Sequence, residues 1–449
     1  MSTVNRSVPP IAPSLPTVRI PQFEQHRLSS GLLVVLLRDT RFPSVSLRLG
    51  IPGGNRVDAP QQTGVAETLC SMLNDGTHTR SSRDIADEAG LLGASLHFSA
   101  SEDFFVGVGT VLEDNLEPFL ALFSDCLLHS IYPEDELALY KMNRIQELLV
   151  ERSEAGYWAD ATLHREVFGS HPYSVTSPEP AHLEAIERET LAAMWESRFG
   201  PQNAVLVMVG DLPETGALLR LLEQHFVGWR NQTTPLLEPG PAADMTPSIK
   251  LVHRANSVQA ELRMGRPAIA RKDPAYFPLS VLNTVLGGGA SSRLFMNIRE
   301  KQGLAYHVSS SMMALMERGL VALSTQVSME RVGETIRGLQ HEMRRLYEEP
   351  IPEEELRSVR NYLSGTFALR LESHSSLANQ ISAIKMVGLG DDYLERYVER
   401  VAAVSRDDLR DVAERFFRPE AYSIVAVGDA EVLKPQLEAF GTVETLECE

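Results

Sequence analysis

Two stretches of the chain open with the same hydrophobic and polar rhythm. HRLSSGLLVVLLRD (residues 26–39) and FPSVSLRLGIPG (42–53) begin the first, and SIKLVHRANSVQAELRMGRPA (248–268) begins the second. In each, β-branched and other apolar residues alternate with polar ones between Gly, Pro and Ser breakers, which predicts strands. Helical spacing follows at residues 65–73 and 277–286, then a strand pair and long amphipathic helices. Each stretch closes on an apolar strand ending in Val-Gly-Asp.

The repetition extends to the letters. ERETLAAMWESRFGPQNAVLVMVGDL (187–212) returns as SRDDLRDVAERFFRPEAYSIVAVGDA (405–430), and superposing Gly210 on Gly428 sets the offset. IYPEDELALYKMNRIQEL (131–148) matches IPEEELRSVRNYLSGTF (351–367) at nearly the same offset, each with a proline starting a helix whose first turn is acidic. Two matches at one spacing imply a duplicated domain. Strands and helices mix without strict alternation, so the expected class is α+β, with helices on one face of a mainly antiparallel sheet in each copy. Four prolines in residues 229–247 mark a linker. The expected layout is an N-terminal arm at 1–18, a first domain at 19–228 and a second at 248–446.

Composition narrows the partners. A formal charge of -18 disfavours nucleic acid and anionic membrane surfaces and mildly favours a basic peptide. No apolar run is long enough to span a bilayer. The Pro- and Ser-rich start lacks the apolar core of a signal peptide, which points to the cytoplasm, or to the periplasm if a signal has been removed. Cys70, Cys126 and Cys448 have neither paired nor C-x-x-C spacing, so neither a disulfide framework nor a thiolate zinc site is expected. The histidines show no ligand spacing with one another.

Two segments carry candidate chemistry: TGVAETLCSMLNDGT (63–77) and, in the second half, SSRLFMNIREKQGLAYHVSSS (291–311), which follows Gly287, Gly288 and Gly289. In the latter, Gly303 ends a helix and a strand begins, so Arg299 projects from the last helical turn while Tyr306 opens the strand. A guanidinium and a phenol can both donate to a substrate carbonyl and to the charge that grows on it. The three glycines permit positive φ and close backbone approach, so they read as a loop against which a partner or a peptide could sit.

With these segments in place, the chain resembles the inverted-zincin peptidases of the insulysin, pitrilysin and mitochondrial processing peptidase family over nearly its whole length. The resemblance implies an H-x-x-E-H zinc motif in the first half, whose histidines one helical turn apart share a metal. Here Glu67, Cys70 and Ser71 stand at those three positions, and Glu147 matches the third metal ligand. Serine is a poor zinc ligand, and a cysteine cannot readily act as the general base. No cofactor is therefore expected on this chain. In the family, an arginine and a tyrosine spaced like Arg299 and Tyr306 act on the peptide bound at the zinc. Some members divide the work between two subunits, one with zinc and one with that pair.

The resemblance thus implies the non-zinc subunit of a heterodimeric peptidase, inactive alone, with the zinc on a homologous partner and a peptide as substrate. A non-enzymatic scaffold, like the family's core subunits of respiratory complexes, is the alternative. A self-sufficient peptidase using Glu67, Cys70 and Glu147 as a substitute metal set is a second. A homodimer of the isolated chain is also compatible with the duplicated fold.

Overall fold

The computed structural model describes residues 20, 22–235 and 246–448. The arm at residues 1–18 lies outside the described residues, as do residues 236–245 of the expected linker. The described residues form two six-stranded sheets. The first holds β1 (Glu24–Arg27), β2 (Leu33–Arg38), β3 (Ser44–Pro52), β4 (Ser95–Ala100), β5 (Phe104–Leu112) and β6 (Val205–Gly210), in the order β1-β2-β6-β3-β5-β4. The second holds β7 (Ile249–His253), β8 (Gln259–Ala268), β9 (Ala305–Ala314), β10 (Gly319–Ser328), β11 (Ser423–Gly428) and β12 (Val443–Glu447), in the order β12-β7-β11-β8-β10-β9.

Apart from the outermost strand next to β2 or β7, the two orders are the same path. β6 runs parallel to β2 and antiparallel to β3, as β11 does to β7 and β8. Gly210 and Gly428 hold equivalent places: each carbonyl accepts from the residue just past the neighbouring parallel strand, Asp39 at 2.8 Å and Arg254 at 2.9 Å. Both strands are buried along all six residues, as continuous apolar runs in a sheet covered on both faces should be. The outermost strand breaks the symmetry. β1 comes from the front of the chain and pairs antiparallel to β2, whereas β12 comes from the end and pairs parallel to β7.

One face of each sheet carries its own domain's helices over the main cores, around Leu69, Phe119 and Phe123 in the first and Leu282, Ile336 and Leu339 in the second. The other face is covered chiefly by a helix lent by the opposite domain. Ala155–Phe168 lies on β8 and β11, and His374–Val387 lies on β3 and β6. Val35, Val205 and Val207 of the first sheet thereby pack on Leu377 and Ile381, while Val425 of the second packs with Leu163 and Val167. Glycines let the exchanged helices come close. A Cβ at Gly50 would lie 2.9 Å from Met386 Sδ, and one at Gly265, the equivalent position of β8, 2.9 Å from Leu163 Cδ2.

A buried polar cluster fastens the same junction. Arg56 pairs with Glu317 of the β9–β10 hairpin and lies 3.6 Å from Asp103. His171 Nε2 is 2.8 Å from the other Glu317 oxygen, and Tyr173 donates to Asp103, whose second oxygen accepts from the Met316 backbone at 2.9 Å.

Candidate functional site

Two surfaces carry the residues singled out by the sequence. The first is the helix Val65–Met72, which faces the long helix Glu134–Ser153. Asp58 caps its start, accepting from the backbone of Gly64 at 2.7 Å and Ala66 at 3.0 Å. Burial, aided by the nearby Glu67 charge, nonetheless pushes the Asp58 carboxyl up to about 7. A cavity of about 350 Å³, lined in part by Asp58, Thr63, Glu67, His171 and Val175, opens beside it.

Of the four degenerate motif positions, Cys70 is 1% exposed and packs in the first domain's core, where burial raises its thiol far above the ordinary range. Ser71 is half-buried on the same helix. Glu67 and Glu147 come together, but around a cation of the protein. Arg144 Nε donates to Glu67 Oε1 at 2.9 Å, and its Nη1 donates to Glu151 at 2.9 Å and lies 3.6 Å from Glu147 Oε2. Among the described residues no three His, Cys, Asp or Glu side chains are grouped to hold a metal ion. A neutral buried thiol, a serine and two carboxylates shared with a guanidinium do not fit zinc.

Arg144 was not singled out from the sequence, although the signal is present. It stands three residues before Glu147 and seven before Glu151, on one face of one helix.

The second surface lies at the junction of the helix Phe295–Lys301 and β9, and both elements are irregular where the candidate residues sit. The helix is of the wide π type, with Arg299 in its closing turn. Gly303 then turns the chain with φ +58°, a left-handed conformation suited to glycine. In β9, Ala305 pairs with Val327 and His307 with Gln326, which leaves Tyr306 as the extra residue of a β-bulge. A bulge re-aims the side chain it carries, and Tyr306 is 81% exposed. The Arg299 guanidinium lies close to two rings, its central carbon 4.6 Å from the centre of Phe295 and 5.0 Å from that of Tyr306.

The glycines allow close approach, at Gly287 and Gly288, but not through the expected positive φ. None of Gly287, Gly288 and Gly289 has positive φ. Gly287 is required by close approach alone, since a Cβ there would overlap the Ser310 backbone, and Gly289 has open space around it. The rest of the surrounding string is support. Arg293 clamps Glu355 with two bonds of 2.9 and 2.8 Å, tying the loop to the helix Glu353–Leu369, and Asn283 donates to the Ser310 carbonyl at 3.1 Å. Between loop and helix lies a cavity of about 680 Å³, lined in part by Thr284, Gly288, Gly289, Ser291 and Tyr362.

Comparison with known proteins bears on the family and the fold. The family model described as insulinase (peptidase family M16) matches residues 33–178, and the model described as peptidase M16 inactive domain matches residues 185–363. A Bacillus subtilis protein named uncharacterized zinc protease YmxG is 23% identical over 408 residues, spanning 90% of this chain and 98% of its own length. Uncharacterized zinc protease SCO5738 of Streptomyces coelicolor is 24% identical over 395 residues, covering 86% of this chain and 85% of its own length. A Pseudomonas fluorescens structure described as a peptidase M16 inactive domain superposes with a TM-score of 0.85 at 24% identity, covering 91% of this chain and 98% of that one. A protease structure from Helicobacter pylori gives 0.80 at 19%, covering 91% and 100%. The two sheets, the duplicated path and both family models lead to one conclusion: the chain belongs to the M16, or insulinase, family of peptidases.

Proposed function

We propose that this chain is the non-zinc subunit of a two-subunit M16 peptidase, contributing Arg299 and Tyr306 to a peptide held at the zinc site of a homologous partner. The observation that carries this reading is a contrast within one chain. Glu67 and Glu147 of the degenerate motif are both paired with Arg144, while the half-buried Arg299 and the exposed Tyr306 stand together on two irregular elements. A bulge and a π-helix weaken regular hydrogen bonding, and an exposed tyrosine contributes little to packing, so stability alone does not account for the arrangement.

In this reading the metal and the attacking water belong to the partner. This chain supplies a cation, itself 3.4 Å from Glu300, and a phenolic hydroxyl to the carbonyl and to the charge that develops on its oxygen. Contacts with the Phe295 and Tyr306 rings restrict Arg299 before substrate arrives, which lowers the entropy lost on binding. The acidic chain would favour a basic peptide.

The test is reconstitution. The purified chain is assayed for metal and for peptide cleavage, alone and after addition of a zinc-bearing M16 homologue from the same source. Cleavage that requires both proteins, with zinc only on the homologue, supports the reading. Cleavage by the homologue alone at an undiminished rate would make this chain a scaffold, and stoichiometric zinc with activity in the isolated chain would make it a self-sufficient enzyme.

A further inference from the structure

The carboxylates gathered at the degenerate motif need a counter-charge. Glu67 comes from the helix Val65–Met72, and Glu147 and Glu151 from Glu134–Ser153, so three negative groups meet where the two helices face each other. The Arg144 side chain, 13% exposed, lies among all three. A guanidinium suits this place because its donors spread in a planar fork and serve more than one carboxylate at once. Burial favours the neutral form of Arg144, but the charges of Glu67 and Glu151 more than offset it, and its pKa stays raised.

We propose that Arg144 is a built-in cation that replaces the metal of the degenerate site. It joins the two helices that a zinc ion would have joined, and it bars a divalent ion from the carboxylates that remain. An ion entering between Glu67 and the exposed Glu147 would meet the largely buried Arg144 charge a few ångströms away, well inside the screening length of salt. Residual affinity therefore depends on Arg144 as well as on the lost histidines. This inference concerns the first domain alone and holds whether or not the chain works with a partner.

The experiment restores the motif in the full chain as Glu67→His, Cys70→Glu and Ser71→His, once with Arg144 kept and once with Arg144→Ala. Zinc affinity is measured by competition with a chromophoric chelator, and retained zinc by elemental analysis after dialysis. The expected result is at least about tenfold tighter zinc in the chain lacking Arg144. Equal affinity in the two would overturn the proposal.

If neither restored chain folds or retains zinc, the otherwise unaltered protein decides. Arg144→Met, Glu67→Gln and their combination are compared by urea unfolding. A coupling of at least about fivefold in the unfolding equilibrium constant supports a cation that joins the helices. Strictly additive effects would refute it.

Discussion

The Arg299 guanidinium rests on the Tyr306 ring, so the two side chains cannot be separated by alanine substitution alone. Tyr306→Phe keeps the ring and removes only the hydroxyl. In the reconstituted enzyme, Tyr306→Phe and Arg299→Ala should each lower turnover by roughly 10²- to 10³-fold, the scale of a lost transition-state donor. Because Tyr306 is exposed, the melting temperature and assembly with the partner should hardly change. Near-normal turnover in both variants, with assembly intact, would leave the pair without a chemical role.

The glycine loop offers a contrast between neighbours. Gly287→Ala drives a methyl group into the backbone of Ser310 and should cost about 1–3 kcal/mol. Gly289→Ala has room, and its effect should stay within about 0.5 kcal/mol. Chemical denaturation of both variants measures this directly. A costly Gly289→Ala would mean that the loop needs freedom at that position for reasons other than space.

At the junction of the domains, Arg56 is the cation shared by the half-buried Glu317 and the buried Asp103 carboxylates. Arg56→Met removes it and leaves Glu317 with the His171 ring and Asp103 with its bonds from Tyr173 and Met316, so the expected loss is about 3 kcal/mol. The loss should be smaller in the Glu317→Gln background, where one of those charges is already gone. A double-mutant cycle in urea checks the coupling, and independent effects would show that the cluster does not act as a unit.

Asp58 predicts a pH dependence. Its carboxyl titrates near 7 in the folded chain and near 3.8 when unfolded. Between those values the folded state holds a proton that the unfolded state has released. The Asp58 contribution therefore lowers stability as pH rises from about 4 to about 7, by on the order of 4 kcal/mol in total, and is constant above. Asp58→Asn cannot ionise and should flatten that fall, at the loss of one hydrogen bond to the helix start. Urea unfolding at pH 5 and pH 8 compares the slopes. Equal slopes in the parent and the variant would show that Asp58 is ionised throughout.

Much of this architecture was legible because it is local. The Val-Gly-Asp strand ends set the repeat, and they land on equivalent hydrogen bonds at Gly210 and Gly428. Gly303 marked the turn that separates Arg299 from Tyr306. The helices on one face of each sheet were expected from pattern, but an amphipathic stripe does not say which sheet it covers, and so the exchange of Ala155–Phe168 and His374–Val387 was not foreseen. The bulge at Tyr306 depends on the register with β10, a pairing that period-two alternation cannot fix to one residue. Arg144 went unremarked because a basic residue among glutamates on a helix ordinarily reads as a solvated face.

The exchanged helices also set an order of events during synthesis. The strand β6 completes the first sheet at Gly210, yet the helix that covers the sheet's far side ends at Val387. At ordinary rates of translation, on the order of ten seconds passes between them. Through that interval Val35, Leu37, Val205 and Val207 have no native cover. The first half of this protein therefore leaves the ribosome as an unfinished body, and its dependence on chaperones should be concentrated in that window.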